Sequence, residues 1–282
     1  MSFFRRIYTT AQWLSLDVAV GSLASGMMAA RYLGVAMPPG WYVALPLSVW
    51  VIYTTDHLMD AYRLGAHAHT ARHLFHHRHF GVLAVCWALA LLGSLALLPM
   101  VLPPAISLGG YALGVLVLGH LGLVWWIGGR VARWLAKELG VGAIYALGVW
   151  LGPAALSART VSAATGLVWA QFLMLALANL LIFSIYEEER DRLDQQSSFV
   201  RAIGATAARQ VLAGLLGLAA AAGLAVLWLD DRPVAQAVEA TYLLMGGVLA
   251  GVAWRPGWFG QQERYRLWGD LVFLFPLWTA VV

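Results

Sequence analysis

Long apolar runs, interrupted by short polar connections, dominate the chain from residue 11 onward. A helix that crosses a membrane needs about 20 apolar residues, and nine segments approach or reach this length. They span residues 11–33, 41–60, 80–98, 104–127, 137–157, 164–186, 205–229, 235–254 and 264–282. Proline-containing breaks such as MPPG at 37–40 and LPMVLPP at 98–104 separate neighbouring segments. The pattern predicts an all-α integral membrane protein with nine transmembrane helices in a single transmembrane domain.

The amino-acid composition agrees with this class of protein. Hydrophobic residues make up 61% of the chain and charged residues 11%, whereas soluble domains carry about 25% charged residues. No polar stretch is long enough to form a soluble domain, and we expect the first apolar segment to be a retained helix instead of a cleaved signal peptide. The single cysteine, Cys86, excludes a disulfide framework and a cysteine-based zinc site.

The basic residues are distributed unequally between the two sides of the predicted membrane. When the N-terminus is placed in the cytoplasm, fifteen of the 18 Lys and Arg residues lie on the cytoplasmic side, as the positive-inside rule requires. We therefore expect a cytoplasmic N-terminus and an external C-terminus, and we attribute the positive charge to topology and not to nucleic-acid binding. The richness in Ala, Leu and Gly is typical of a bacterial source, which predicts a location in the bacterial inner membrane.

Two pairs of acidic residues stand at cytoplasmic ends of predicted helices. Asp56 and Asp60 end the second helix, and Glu187 and Asp191 follow the sixth. Residues four positions apart share one face of a helix, and acids at membrane-helix ends are costly without partners. We therefore expect the two pairs to face each other across a cavity.

Two long cytoplasmic connections, 61–79 and 187–204, follow these helices and are predicted to cap the site. The second and sixth helices are four apart in order and carry the same acidic spacing. This repetition suggests two four-helix halves plus a ninth helix around a central cavity.

Four converging carboxylates are oxygen ligands of the kind that Mg²⁺ prefers, and Mg²⁺ commonly shares phosphate oxygens with a substrate. Basic residues on the same side of the membrane are candidate diphosphate ligands. They are Arg63, Arg72, Arg130, Arg133, Lys137 and Arg192. The combination predicts a site for Mg²⁺ and a diphosphate. The alternative is that such charges are solvated interface residues, which is our interpretation of Glu188, Glu189 and Asp194.

Two further acids, Asp17 and Asp270, lie inside apolar runs near the cytoplasmic ends of the first and ninth helices. A buried carboxyl group there is equally typical of a hydrogen bond between helices and of a residue lining the cavity. Both interpretations stay open from the sequence.

These motifs resemble those of the UbiA superfamily of intramembrane prenyltransferases, whose members carry N-D-x-x-D-x-x-x-D after helix two and D-x-x-x-D after helix six. Asp56 and Asp60 match the last two acids of the first motif, and EEERDR at 187–192 resembles the second. TARH at 70–73 resembles the T-x-R-P that follows the first motif, and the segment from Lys137 resembles the fifth helix, whose opening lysine contacts diphosphate. In this chain Ile52 and Tyr53 replace the leading Asn-Asp, which removes two oxygen ligands and leaves open whether one or two Mg²⁺ bind.

The resemblance implies Mg²⁺-dependent transfer of a prenyl group from a prenyl diphosphate to an aromatic or lipid acceptor within the membrane. The expected partners are the prenyl diphosphate, a hydrophobic acceptor and membrane lipid, and the oligomeric state is left open. It implies that Asp56, Asp60, Glu187 and Asp191 bind the metal, and that aromatic rings shield the allylic cation, with Tyr53, Tyr145 and Tyr186 as candidates. A terpene cyclase or a non-catalytic lipid-binding relative are the alternatives within this resemblance.

A histidine run, HAHTARHLFHHRHF at 67–80, holds six of the eight histidines. His73, His76 and His77 spell H-x-x-H-H, a pattern also found in membrane di-iron hydroxylases, and imidazole suits iron, zinc and copper. Those enzymes use three such boxes, whereas one is visible here. A histidine-dependent membrane oxidase or hydroxylase is therefore the rival hypothesis, and a loop that contacts phosphate or headgroups is the simpler one.

Overall fold

The structure, a computed structural model, describes residues 3–67, 69–126, 130–158, 162–194 and 198–280, with the side chains of 3–7, 125–126, 130–137 and 280 left out. Every secondary-structure element within these ranges is helical. The α-helices are α1 (Phe3–Trp13), α2 (Leu16–Leu33), α3 (Trp41–Leu64), α4 (Ala71–Arg78), α5 (Phe80–Val101), α6 (Pro104–Trp126), α7 (Arg130–Leu156), α8 (Ala163–Leu193), α9 (Phe199–Ile203), α10 (Ala205–Leu229), α11 (Pro233–Trp254), α12 (Pro256–Phe259) and α13 (Arg264–Leu271). Short 3₁₀ segments cover Gly65–His67, Gln261–Glu263 and Val272–Ala280.

Six of these helices are long and apolar enough to cross a membrane: α5, α6, α7, α8, α10 and α11. Their length and composition agree with the predicted integral membrane class. α5 and α6 expose many of their large apolar side chains, whereas α8 is the most deeply buried of the six. α2, α3 and the segment from Arg264 onward carry more polar residues, and the count of nine spans stays a prediction.

Two predicted membrane segments have irregular backbones in the structure. The predicted span 11–33 is interrupted between α1 and α2, where Ser15 adopts a left-handed conformation with φ 55°. Its hydroxyl lies 3.0 Å from His57 Nε2 of α3, so the break has a tertiary contact. The predicted span 264–282 is α-helical only as far as Leu271 and then tightens into 3₁₀ geometry around Pro276. Proline removes a backbone donor, which disfavours a continuous α-helix there.

The two predicted cytoplasmic loops are largely helical, which corrects the boundaries expected for 61–79 and 187–204. α3 continues to Leu64 and α8 continues to Leu193, so both acidic pairs lie on regular helix. α4 occupies most of the first connection and begins at Thr70, whose hydroxyl accepts a hydrogen bond from the His73 amide. Such a cap satisfies an otherwise unpaired amide of the first turn.

The main core centres on α8, which packs against α7, α10, α11 and α13. Aromatic rings connect these elements, because Phe172 of α8 stacks near Tyr145 and Tyr242 and meets Phe273 edge-on. The 3₁₀ segment from Val272 packs on α2 and α11, and α4 packs on α3. This packing places α4 and α13 beside the acidic ends of α3 and α8, respectively.

Candidate functional site

The acidic pair of α3 is partly open to solvent. The side chain of Asp56 is 48% exposed and that of Asp60 is 15% exposed. A histidine stands beside each carboxylate. His57 Nδ1 is 3.9 Å from Asp56 Oδ2, and His73 Nε2 of α4 is 3.6 Å from Asp60 Oδ2. The pair therefore presents one accessible carboxylate and one sheltered carboxylate on the same helix face.

The acidic pair of α8 has a different environment. Glu187 Oε1 forms an ion pair with Arg266 Nη2 and accepts a hydrogen bond of 3.0 Å from the Tyr265 hydroxyl. The backbone carbonyl of Asp191 accepts a hydrogen bond from Arg201. Glu187 is thus already neutralised by a basic side chain from α13.

Arg72 of α4 connects the two acidic pairs. Its Nε is buried and has no hydrogen-bond partner among the residues that the structure describes. Burial lowers the pKa of the Arg72 guanidinium, the nearby positive charge of Arg266 lowers it further, and the carboxylates of Glu187, Asp56 and Asp60 oppose both effects. The charges of three of the four predicted metal-binding acids therefore affect the pKa of Arg72, which is a predicted diphosphate ligand.

The other predicted diphosphate ligands lie elsewhere or outside the described side chains. Arg192 is exposed and bonds to Glu189, with 3.0 Å between its Nε and Oε2 of the acid. Arg63 is exposed at the end of α3. The side chains of Arg130, Arg133 and Lys137 lie outside the described part of the chain.

The predicted aromatic residues differ in their surroundings. Tyr186 donates a hydrogen bond of 2.6 Å to the Val252 carbonyl and stacks on Tyr265 with ring centroids 4.4 Å apart. Tyr53 lies edge-on to His57, 6.4 Å between ring centroids, and within reach of the Asp56 charge. Tyr145 belongs to the aromatic core with Phe172. Of the three, Tyr53 lies nearest the acidic pair of α3.

Arg266, which sequence reasoning did not place in the site, belongs to its surroundings together with Asp17 and Asp270. Arg266 and Asp270 are both buried on α13, four positions apart and therefore on one helix face. The charges of Asp17, Asp270, Arg266 and Arg72 act on one another. Both interpretations of Asp17 and Asp270 stay open. The i, i+4 spacing of Arg266 and Asp270 on α13 is the signal that could have found Arg266.

The histidine run is not a loop, because residues 71–78 form α4 with a buried face and an exposed face. His73 and His76 are buried, whereas His77 is exposed and His69 pairs with Asp194. Burial lowers the pKa of His76, so its ring is neutral near pH 7, and its Nδ1–H donates to the Arg72 carbonyl at 3.0 Å. The buried histidines thus pack α4 against α3, and His76 bonds to the backbone of Arg72.

A magnesium ion suits part of this arrangement. Within the described ranges, no three His, Cys, Asp or Glu side chains are grouped so as to hold a metal ion. The carboxylate oxygens of Asp56 and Asp60 are the donor type that Mg²⁺ takes, and it completes its shell with water and substrate phosphate. Glu187 does not suit a metal in the same way, because Arg266 and Tyr265 engage its oxygen.

Replacing Thr70 with alanine is expected to destabilise α4 by about 1 kcal/mol, since the cap on the His73 amide is lost. Because α4 carries Arg72, affinity for inorganic diphosphate should fall with the thermal midpoint. Ser162→Ala is the matched control, since Ser162 caps α8 at its opposite end by accepting from the Thr165 amide. It should cost similar stability and leave diphosphate affinity unchanged. Equal effects of both variants on diphosphate affinity would contradict the role given to α4.

The sequence matches no protein-family model and no curated protein. Among solved structures, the fold is similar to that of a UbiA homolog from Archaeoglobus fulgidus bound to GPP and Mg²⁺. The TM-score is 0.59 at 11% sequence identity, and the match covers 96% of this chain and 99% of the other. At this level of sequence identity, the similarity between the two structures shows a shared fold.

Proposed function

Because this chain has a UbiA-like fold, we propose that it is a Mg²⁺-dependent transferase that moves a prenyl group from a prenyl diphosphate to an aromatic or lipid acceptor within the membrane. One observation carries the proposal. The charges of Asp56, Asp60 and Glu187 all act on Arg72, whose Nε is buried, at one end of an apolar helical bundle. The solved relative, which binds GPP and Mg²⁺, supports the same class of substrate.

In this proposal Asp56 and Asp60 would hold Mg²⁺, which would supply charge neutralisation on the diphosphate. Arg72 donates charge-assisted hydrogen bonds to the diphosphate oxygens, a task for which the planar guanidinium is well shaped. Its partial burial strengthens these bonds, because a fixed donor in a medium of low dielectric constant needs little reorganisation as charge develops. His73 and His76 position Arg72 through α4.

The bond that breaks joins the allylic carbon to the diphosphate oxygen, and the electron pair leaves with the diphosphate. The resulting allylic cation requires exclusion of water and a surface of negative potential, which aromatic faces provide. Tyr53 is the candidate for this role, since it lies one helical turn before His57 and near Asp56. The acceptor attacks the cation and gives up a proton, so the products are a prenylated acceptor and diphosphate.

The proposed placement follows from the charge distribution along the chain. The acids and Arg72 lie at the cytoplasmic ends of their helices if the N-terminus is cytoplasmic, as fifteen of the 18 basic residues favour. We accordingly place the protein in a bacterial inner membrane with its diphosphate site facing the cytoplasm. Water-soluble diphosphate then leaves toward the cytoplasm, while the prenyl chain stays among apolar helices.

Release of diphosphate from geranyl, farnesyl or geranylgeranyl diphosphate by the purified protein tests the proposal. We expect release with Mg²⁺, its loss on chelation, and transfer of the radiolabelled prenyl group to an acceptor in a membrane extract. A cyclic hydrocarbon formed without acceptor would instead identify a terpene cyclase. Absence of both binding and turnover with every prenyl diphosphate would refute the transferase, and bound iron lost on replacing His76 and His77 would favour the oxidase.

A further inference from the structure

We propose that Arg266 takes the place of a divalent cation at Glu187, so that the site binds prenyl diphosphate with a single Mg²⁺ at Asp56 and Asp60. This inference rests on the proposed function and deepens it. It gives the number of metal ions in the site and names the side chain that makes a second metal ion unnecessary. The two acidic pairs have the same spacing in sequence, and Glu187, the first acid of the α8 pair, forms an ion pair with Arg266.

The ion pair between Arg266 and Glu187 is sheltered from water. The side chains of the two residues are 10% and 13% exposed, and the Tyr265 hydroxyl bonds to the same carboxylate oxygen at 3.0 Å. Glu187 therefore has both a positive charge and a neutral donor at one oxygen. A metal ion at that oxygen would have to displace both.

Arg266 is held in this position by the packing of α13 on α8. Its guanidinium carbon lies 5.5 Å from the ring centroid of Phe183, one turn before Glu187 on α8. Gly269, one turn after Arg266 at i+3, lies so close to α8 that an added Cβ would be 2.7 Å from Phe183 and nearer still to Asn179 Oδ1. Because α13 packs this closely on side chains of α8, Arg266 is a built-in cation of the site and not a mobile surface side chain.

Electrostatics also disfavour a second ion at the α8 pair. A divalent cation at Glu187 would lie against Arg266 and near Arg72, whose two positive charges already oppose each other. Removing one partner from a buried ion pair leaves an uncompensated charge, which is strongly unfavourable. At the α3 pair, by contrast, the side chain of Asp56 is half-exposed and accessible to an ion from solvent.

The direct test counts metal ions on the purified protein with geranyl thiodiphosphate, a slowly reacting substrate analogue, at saturation. Mn²⁺ is the probe, counted by electron paramagnetic resonance, and Mg²⁺ titration calorimetry provides a second measurement. We expect one ion per chain in the wild type and two in Arg266→Gln, because Glu187 becomes available. The double variant Arg266→Gln/Glu187→Gln should return to one ion.

Arg264→Gln is the matched control. Arg264 lies two positions away on α13, but its guanidinium is exposed and sits over the Trp258 ring at 4.5 Å. The Arg264→Gln variant also loses one positive charge from α13, and the number of Mn²⁺ ions bound per chain should stay at one. Glu187→Gln covers the case in which Arg266→Gln fails to fold. Since Glu187 is not a metal ligand in this proposal, its amide variant should keep one ion per chain.

Two ions on the wild type, an unchanged count in folded Arg266→Gln, or loss of an ion in Glu187→Gln would each overturn the role of Arg266. These failures are distinct from failure of the proposed function. Two ions together with Mg²⁺-dependent turnover would leave the transferase intact and remove only this inference. A protein that binds neither the analogue nor Mn²⁺ in its presence would contradict both.

Discussion

Replacing Asp60 with asparagine is expected to lower kcat/KM for Mg²⁺-dependent diphosphate release by about 100-fold, equivalent to about 2.7 kcal/mol of transition-state stabilisation. Asp60 is the sheltered acid of the α3 pair, with His73 at 3.6 Å and Arg72 within reach of its charge. Asparagine keeps the shape of the side chain and one oxygen, but it removes the charge that holds a hard divalent cation. The apparent KM for Mg²⁺ should rise at the same time.

Glu189→Gln is the appropriate control for this result. Glu189 lies on α8 near the site, but it is exposed and bonds to Arg192 at the surface. Exposed ion pairs contribute little to stability, and activity and Mg²⁺ dependence should both persist. A folded Asp60→Asn protein that releases diphosphate at the wild-type rate would remove the α3 pair from the proposed metal site.

Replacing Arg72 with glutamine is expected to lower kcat for diphosphate release by about 10²- to 10³-fold, the usual effect of losing one preorganised donor to developing negative charge. The loss has a second component, because a positive charge that acts on Asp56, Asp60 and Glu187 is removed. The thermal midpoint should therefore fall as well. Arg72→Lys should recover part of the binding of diphosphate, since it keeps the charge but not the planar fork.

Arg78→Gln separates this effect from a general loss of charge on α4. Arg78 lies on the same short helix but is exposed. The Arg78→Gln variant should change neither kcat nor the thermal midpoint of unfolding appreciably. If Arg72→Gln and Arg78→Gln behave alike, Arg72 has no special place at the site and the proposed convergence of the two acidic pairs loses its functional meaning.

The two acidic pairs illustrate how far local sequence patterns extend. Their shared spacing predicts two equivalent faces, and both pairs do lie on regular helix, within α3 and α8. Their environments nevertheless differ, because the side chains that approach them come from distant parts of the chain. Tyr265, whose hydroxyl bonds to Glu187, is 78 positions away in sequence. Helical spacing carries no information about such a partner.

The connections between helices show the same contrast between what local sequence predicts and what tertiary packing decides. Residues 61–79 are predicted to be a loop because they are polar and rich in histidine, yet α4 forms there with Thr70 as its cap. Histidine is only a moderate helix former, and burial of His73 and His76 against α3 decides the outcome. Similarly, Ser15 breaks the first predicted span where its hydroxyl meets His57.

The sequence by itself determined the all-helical membrane class, the approximate positions of most helices and the acids and Arg72 as the candidate chemistry. These follow from local physics, since apolar length, i, i+4 spacing and charge sidedness are properties of contiguous segments. Only the tertiary structure decided that the charges of Asp56, Asp60 and Glu187 act on Arg72 and that Arg266 neutralises Glu187. The reason is that charge pairing depends on which helices pack together, as α13 does on α8 through Gly269.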